Sequence, residues 1–244
     1  MSFQLLRPHD RFLAQRCRIP ELMDDATLDP AQHLQALRGL ERINTWSLSA
    51  QAFWRSIRSF AMRRSGTLRI LDVACGAGDV AIAVWRAAHR WRLPLSIEGC
   101  DSSPRAVAYA TQRTRQIGAP VRFFEFNALA EELPAGYDVM MSSLFLHHLD
   151  DADAVSLLRR MGRAAGAMVL VSDLVRSWTG LALAHVGTRA LSRSPVVHVD
   201  GPRSVRAAFT CKEAQTLAVQ AGLREANIAR QWPCRYLLTW NRHP

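Results

Sequence analysis

The 244-residue chain has little of several features that mark particular protein classes. Lys212 is the single lysine, so nearly all of the basic charge comes from arginine. No run approaches the roughly 18 apolar residues that span a bilayer, which predicts no membrane span. The first residues also lack the apolar stretch and cleavage site of a signal peptide, and a cytoplasmic protein is therefore expected.

The cysteines and the net charge narrow the classes further. Five cysteines, at positions 17, 75, 100, 211 and 234, form no C-x-x-C pair and are odd in number, which favours reduced thiols over a zinc site or a disulfide framework. No metal is predicted. The net charge of +10 raises the possibility of a nucleic acid partner. However, the arginines are scattered, without a dense basic run or interleaved aromatics, so nucleic acid is the less favoured partner.

The most informative motif is a glycine turn with an acid on each side of its glycines, reading DVACGAGD over residues 72–79. Loops that bind pyrophosphate direct backbone N–H groups and a helix N-terminus at negative oxygens. Asp79 at such a helix start would repel a phosphate, so the motif favours a cationic ligand. S-adenosylmethionine fits, because it carries an adenosine, a sulfonium and an ammonium but no phosphate. The same letters also match the looser G-x-G-x-x-A dinucleotide pattern, which is weak alone.

Polar residues follow the ends of successive predicted strands. Predicted strands at residues 95–100 and 121–126 end before Asp101 and Asn127, and two more cover residues 137–143 and 167–172, the last before Asp173. In an open parallel sheet, ligands bind at this carboxyl edge. Together with a strand that runs into the glycine turn and a closing antiparallel pair at 228–231 and 236–240, these strands predict an α/β fold with a doubly wound, seven-stranded, Rossmann-like sheet.

From about residue 67 to the C-terminus, these motifs resemble the class I S-adenosylmethionine-dependent methyltransferases. The resemblance implies that the glycines approach the methionine and ribose, that Asp101 holds the ribose hydroxyls, and that Asn127 faces the adenine. It also implies that Ser143 and Leu144 flank the sulfonium. The predicted cofactor-binding residues are Asp72, Ala74, Gly76, Gly78, Asp101, Ser102, Asn127, Ala128, Ser143 and Leu144. Each glycine and acid also has a purely structural interpretation, as a turn or packing residue.

Two additions to this core are predicted to cover the acceptor. Residues 1–65 form a helical lid, with helices at 31–44 and 47–64 and with Arg42 and Asn44 as candidate acceptor contacts. Residues 66–244 form the cofactor-binding domain, in which an insert at 174–209 follows the fifth strand. The insert is expected to hold a helix at 178–191 and an irregular stretch at 192–202 that carries His198 as a third candidate. A capping box then begins a helix at Thr210.

The chemistry of methyl transfer points to the residues after the fourth strand. His147 and His148 follow that strand, and Asp173 could orient a histidine or bind the acceptor; these three are the candidate catalytic residues. Residues 144–149 resemble the ubiquinone and menaquinone methyltransferases, and the lid segments resemble bacterial enzymes of phenolic natural-product biosynthesis. Both resemblances imply a hydroxylated aromatic or polyketide-type acceptor, with O-methylation favoured. C-methylation of a quinone precursor, RNA methylation and a catalytically silent partner subunit stay open, as does the choice between monomer and homodimer.

Overall fold

The computed structural model describes residues 12–25 and 27–242 and contains a seven-stranded sheet in the order β3-β2-β1-β4-β5-β7-β6. The strands are β1 Leu68–Val73, β2 Leu95–Asp101, β3 Arg122–Glu125, β4 Tyr137–Ser143, β5 Ala165–Leu174, β6 Asn227–Gln231 and β7 Arg235–Asn241. The first five strands are parallel, whereas β7 runs antiparallel to both β5 and β6. The predicted seven-stranded α/β fold with its closing antiparallel pair is confirmed.

Helices cover both faces of the sheet and follow the local sequence signals. They are α1 Pro30–Trp46, α2 Ser49–Ala61, α3 Asp79–Arg90, α4 Pro104–Ile117, α5 Asp151–Ala164, α6 Trp178–Leu191, α7 Pro195–Ala207 and α8 Cys211–Gln220. Three caps match the sequence: Ser103 begins α4 with proline at its first position, Asp150 begins α5, and Thr210 forms the predicted capping box of α8.

Two apolar cores hold the layers together. One lies between the sheet and α2, α3 and α4, and it includes Phe53 and Ile57 of α2 with Leu170 of β5. The other lies between the opposite sheet face and α5 and α8, and it includes Leu157 and Tyr236. Because both faces of the sheet are covered, the strands β1, β4 and β5 are nearly continuous buried runs.

One prediction within the insert is wrong. Residues 192–202 were expected to be irregular because they contain proline and glycine, but α7 runs from Pro195 to Ala207 with Pro202 inside it. Ser194 caps the helix by accepting the Val197 amide, and proline at the first position needs no hydrogen bond. The buried Val196 and Val197 pack against Ala36 of α1, and this packing holds the helix despite its interior proline.

The order of the strands creates a crevice at one edge of the sheet. β1 pairs with β2 on one side and with β4 on the other. The chain leaves β1 toward α3 on one face and leaves β4 toward α5 on the other, so their carboxyl ends flank a topological switch point. Among the described residues, no helix combines the length and apolar character that crossing a membrane requires.

Candidate active site

The turn between β1 and α3 uses positive backbone dihedrals that suit glycine. Ala74, Gly76 and Gly78 have φ of 55°, 51° and 69°. A Cβ at Gly78 would lie 2.4 Å from the Phe123 ring of β3, so this glycine permits close packing. A Cβ at Gly76 would meet no atom within 4 Å, so the turn has open space at Gly76. Gly78 therefore serves packing against Phe123, whereas Gly76 lies on the side of the turn where a ligand can approach.

Three carboxylates surround this turn. Asp72 is 1% exposed, and neither of its oxygens makes a hydrogen bond. Burial, followed by the charges of Asp79 and Asp101, raises the Asp72 pKa well above its usual value, and the nearby Ala81 amide only partly opposes this shift. Burial also raises the pKa of Asp79 and Asp101. A cation bound at this turn would favour the ionised forms of these carboxylates.

Asp101 also anchors the turn directly. Its carboxylate accepts the Gly76 amide at 2.8 Å and the Ser103 amide at 2.9 Å. The end of β2 is thereby tied to the loop after β1. These residues fit S-adenosylmethionine. Open space at Gly76 allows a ligand to approach, and the unpaired oxygens of Asp72 favour a cationic group nearby.

Asn44 and Arg235 lie beside the same turn. Arg235 is 4% exposed and donates to the side-chain Oδ1 of Asn44 at 3.2 Å and to the Ser49 hydroxyl. Burial lowers the Arg235 pKa to about 10, although the charges of Asp173 and Asp79 oppose that shift. Asn44 lowers the pKa of Asp79 and therefore lies beside the glycine turn, and its predicted contact with an acceptor stays a prediction. No sequence pattern marks Arg235 as a site residue, because Arg235 only follows a turn at the start of a strand.

The remaining predicted cofactor residues lie at the same edge of the sheet. Ser102 and Asn127 are exposed, and the Asn127 side chain accepts the Leu129 amide at 3.0 Å, whereas Ala128 is buried. The Ser143 hydroxyl at the end of β4 is buried without a hydrogen-bond partner. Leu144 has φ of 56° and donates its amide to the Ser172 carbonyl at 2.9 Å. Ser143 and Leu144 thus form a sharp turn out of β4, with one polar atom free for a ligand.

His147 and Asp173 form a buried pair at the acceptor end. The Nδ1 atom of His147 lies 2.7 Å from Asp173 Oδ1, and the His147 amide donates to Asp173 Oδ2 at 3.0 Å. The Nε2 atom of the same ring lies 3.6 Å from Glu21 Oε1. Burial lowers the His147 pKa, but Asp173 and then Glu21 outweigh it and raise the pKa to about 10. The structure therefore brings two of the three candidate catalytic residues into direct contact.

His148 lies next to this pair and completes a cluster with Glu21. Its ring centroid is 4.3 Å from that of His147, its Nε2 lies 3.9 Å from Glu21 Oε2, and its Nδ1 lies 3.2 Å from Asp24. Burial raises the pKa of Glu21, but His147, His148 and the Ser204 hydroxyl outweigh burial and lower this pKa to about 2. No sequence motif predicts a functional role for Glu21 or Asp24, which precede the predicted lid helices.

Long-range hydrogen bonds place this N-terminal segment over the site. Arg16 donates to the carbonyls of His147 and Leu149 at 3.3 and 2.8 Å. Asp200 of α7 accepts the amides of Leu22 and Met23 at 2.9 and 3.0 Å. Residues 16–24 are thereby fixed between α7 and the turn that carries the two histidines.

Two candidate acceptor residues, Arg42 and His198, make hydrogen bonds to backbone carbonyls. Arg42 is largely exposed and donates from Nε to the Leu191 carbonyl at 2.7 Å, which joins α1 to the end of α6. His198 lies in the first turn of α7, where its Nε2 is 2.8 Å from the Ser192 carbonyl. Both side chains use their polar atoms to hold the lid helices together, and neither contacts His147, His148 or Asp173 in a hydrogen bond.

The fold and the site define a class of protein whose doubly wound sheet binds a cationic nucleoside at a glycine turn. Residues 70–166 match the methyltransferase domain family. The chain is 32% identical over 119 residues to an uncharacterised methyltransferase of Mycobacterium bovis, a match covering 48% of this chain and 56% of the relative. It is 31% identical over 123 residues to a ubiquinone biosynthesis O-methyltransferase of Paracidovorax citrulli, covering 49% of each chain. A demethylmenaquinone methyltransferase of Thermus thermophilus is 30% identical over 128 residues, covering 51% and 56%.

Solved structures show the same fold. The S-adenosylmethionine-dependent methyltransferase SibL superposes with a TM-score of 0.64 at 19% identity, covering 96% of this chain and 65% of SibL. The O-methyltransferase NcsB1 from neocarzinostatin biosynthesis superposes with a TM-score of 0.51 at 25% identity, covering 70% of this chain and 47% of NcsB1. NcsB1 was solved with S-adenosylmethionine and 2-hydroxy-5-methyl naphthoic acid.

Residues 70–166 carry a methyltransferase domain, and the predicted resemblance to S-adenosylmethionine-dependent methyltransferases and the predicted cofactor are confirmed. The matched segments span about half the length of the curated relatives. The predicted likeness to the quinone methyltransferases is also confirmed.

Proposed function

We propose that this protein transfers the methyl group of S-adenosylmethionine to a hydroxyl of a hydroxylated aromatic or polyketide-type small molecule. The observation that carries the proposal is the buried contact between His147, which follows the end of β4, and Asp173 near the end of β5. A histidine oriented by a carboxylate can hydrogen-bond the ionisable hydroxyl of an acceptor.

The cofactor supplies the activated methyl carbon, so the protein mainly has to position two reactants. Asp101 would hold the ribose hydroxyls, and Asp72 and Asp79 would favour the positively charged methionine end. Ser143 and Leu144 would flank the sulfonium, because the β4 end lies beside the glycine turn. Holding the acceptor oxygen in line with the methyl carbon and the sulfur then accounts for much of the rate.

The acceptor side combines a polar cluster with an apolar cover. Asp173 occupies Nδ1 of His147, so Nε2 is the nitrogen that can face an acceptor. An acceptor hydroxyl would reach that atom from the side of Glu21 and His148. Above the cluster, Val196 and Val197 of α7 pack with α1 and with Met23. An aromatic ring suits such an apolar cover with a few directional polar groups.

The relatives support oxygen as the methylated atom. The relative from Paracidovorax citrulli is named as an O-methyltransferase, and NcsB1 holds a hydroxynaphthoic acid. C-methylation of a quinone precursor is the second candidate, and the similarity to a demethylmenaquinone methyltransferase favours it. Both reactions need an electron-rich hydroxylated ring, so they differ in the product rather than in the acceptor class.

Incubation with methyl-labelled S-adenosylmethionine, a panel of hydroxyaromatics and bulk RNA tests the proposal. We expect label in a hydroxyaromatic, as a methyl ether by mass and NMR analysis, and none in RNA. His147→Gln and Asp173→Asn are each expected to lower kcat/KM by at least about 100-fold, whereas His185→Gln on the exposed surface of α6 should not. Label in RNA, or cofactor binding without turnover on any phenol, would refute the proposal; a C-methylated ring would select the second candidate.

A further inference from the structure

We propose that Glu21, His147 and His148 bind a divalent metal ion of the zinc class. One side-chain ligand atom from each residue lies within 4.8 Å of the other two. These atoms are the Nε2 nitrogens of both histidines and the Glu21 carboxylate, at 3.6 Å and 3.9 Å from the respective nitrogens. Two imidazoles and one carboxylate with an open position form a set that zinc and similar first-row ions use.

The spacing of the ligand atoms is close to what such an ion requires. Bonds of roughly 2.0–2.2 Å to nitrogen and oxygen separate the ligand atoms of a tetrahedral site by about 3.4 Å. His147 Nε2 lies 3.6 Å from Glu21 Oε1, and His148 Nε2 lies 3.9 Å from Glu21 Oε2, so each carboxylate oxygen faces one imidazole nitrogen within a few tenths of an ångström of that separation.

Each of the three ligands is held by an outer partner, as metal ligands generally are. Asp173 lies 2.7 Å from Nδ1 of His147, and Asp24 lies 3.2 Å from Nδ1 of His148. The Ser204 hydroxyl donates to Glu21 Oε1. Carboxylates on the distal nitrogens fix both rings with Nε2 turned inward and make those nitrogens better ligands. These outer partners are observations independent of the ligand triangle.

The charges of the cluster also favour a dication. Carboxylates face both nitrogens of both rings, but a neutral imidazole has only one N–H to donate. Protons alone could satisfy all four contacts only if both rings were charged, with their centroids 4.3 Å apart. A metal ion supplies the same two positive charges between the ligands and leaves both rings neutral, so the repulsion between the rings is avoided.

A consequence follows that rests on the proposed methylation. An acceptor hydroxyl bound at the open position would lose its proton to water and bind the ion as phenolate. The oxygen would then form a bond to the methyl carbon while the carbon–sulfur bond breaks, and that electron pair would go to sulfur. The products are a methyl ether and S-adenosylhomocysteine.

Cobalt binding tests the site without relying on activity. The full chain, stripped with a chelator, is titrated with Co²⁺, and its visible ligand-field absorption is recorded. We expect one equivalent of four- or five-coordinate Co²⁺. Glu21→Gln and His148→Gln should weaken binding more than about 100-fold, and Asp24→Asn about 10-fold. Asp24 is a largely exposed outer partner, so its variant reports on the site without disturbing the core.

His185→Gln is the matched control, because it removes an exposed histidine on α6 and should leave Co²⁺ binding unchanged. Stoichiometric absorption that disappears in the Glu21 and His148 variants supports the site. Absence of stoichiometric binding, or binding that survives in both variants, overturns it. Methylation of hydroxyaromatics measured with a chelator present is read separately, so the proposed function can stand even if the metal site is overturned.

Discussion

Replacing Asp72 with asparagine tests whether the carboxylates of the glycine turn select a cationic cofactor. The substitution keeps the shape of the side chain and removes one charge from a position that is 1% exposed and makes no hydrogen bond. Two unit charges about 6 Å apart interact by about 3 kcal/mol at an effective dielectric constant of about 20. Because Asp79 and Asp101 remain, we expect the free energy of S-adenosylmethionine binding to weaken by about 1–3 kcal/mol, which is roughly 5–150-fold in affinity.

Two ligands separate the effect of charge from that of shape. S-adenosylmethionine carries a sulfonium that S-adenosylhomocysteine lacks, so calorimetric titration should show a smaller loss of affinity for the second ligand. Asp153→Asn, at an exposed position on α5, is the control and should leave both affinities unchanged. Equal losses for the two ligands, or no loss for either, would refute the electrostatic account.

The same substitution should stabilise the protein without its cofactor. Burial and the neighbouring acids raise the Asp72 pKa in the folded state above its ordinary value of 3.8. The unfolded chain therefore ionises first, and the wild type loses stability as the pH rises above that value. The gain in the free energy of unfolding of Asp72→Asn should grow with pH and vanish below pH about 4. A variant less stable than the wild type at pH 8 would contradict this sign.

Three further substitutions probe the packing around the site. Gly78→Ala combines a φ of 69° with a contact of 2.4 Å to Phe123, so urea unfolding should show a loss of about 2–4 kcal/mol; a loss below 1 would contradict the packing role. Gly76→Ala should lower stability by only about 1–2 kcal/mol yet weaken cofactor binding. Unchanged binding would show that the cofactor does not approach the turn at Gly76. Arg176→Met removes the hydrogen bonds that Arg176 donates to Glu213, Ala208 and Leu13 and should lower the free energy of unfolding by about 2–3 kcal/mol. A thermal midpoint unchanged within error would show that these hydrogen bonds do not stabilise the protein.

Local signals in the sequence predicted the elements of the sheet and several helix starts. The alternation of strand and turn residues predicted β4 with its observed bounds, Tyr137–Ser143. Thr210 was recognised as a cap because capping depends on residues within one helical turn. The proximity of His147 and Asp173 could also be predicted, since each follows a predicted parallel strand and the carboxyl ends of such strands meet at one edge.

The missed features depend on contacts between distant segments. Glu21 and Asp24 reach the histidines because Asp200 and Ser204 of α7 hold their segment in place, and no local pattern encodes that contact. The irregular stretch predicted around Pro202 is helical because packing against α1 outweighs the local cost of proline. Arg42 and His198 were polar residues in lid segments, but their side chains bond to backbone carbonyls within the lid.

Calorimetric titration of the purified chain with S-adenosylmethionine and with a nicotinamide dinucleotide tests the central claim most directly. Buffers of different ionisation enthalpy reveal the protons exchanged on binding. We predict that S-adenosylmethionine binds and releases protons, because a cation favours the ionised forms of Asp72, Asp79 and Asp101, whose pKa values are raised. No binding of the dinucleotide is expected. Binding of the dinucleotide without binding of S-adenosylmethionine would contradict the account.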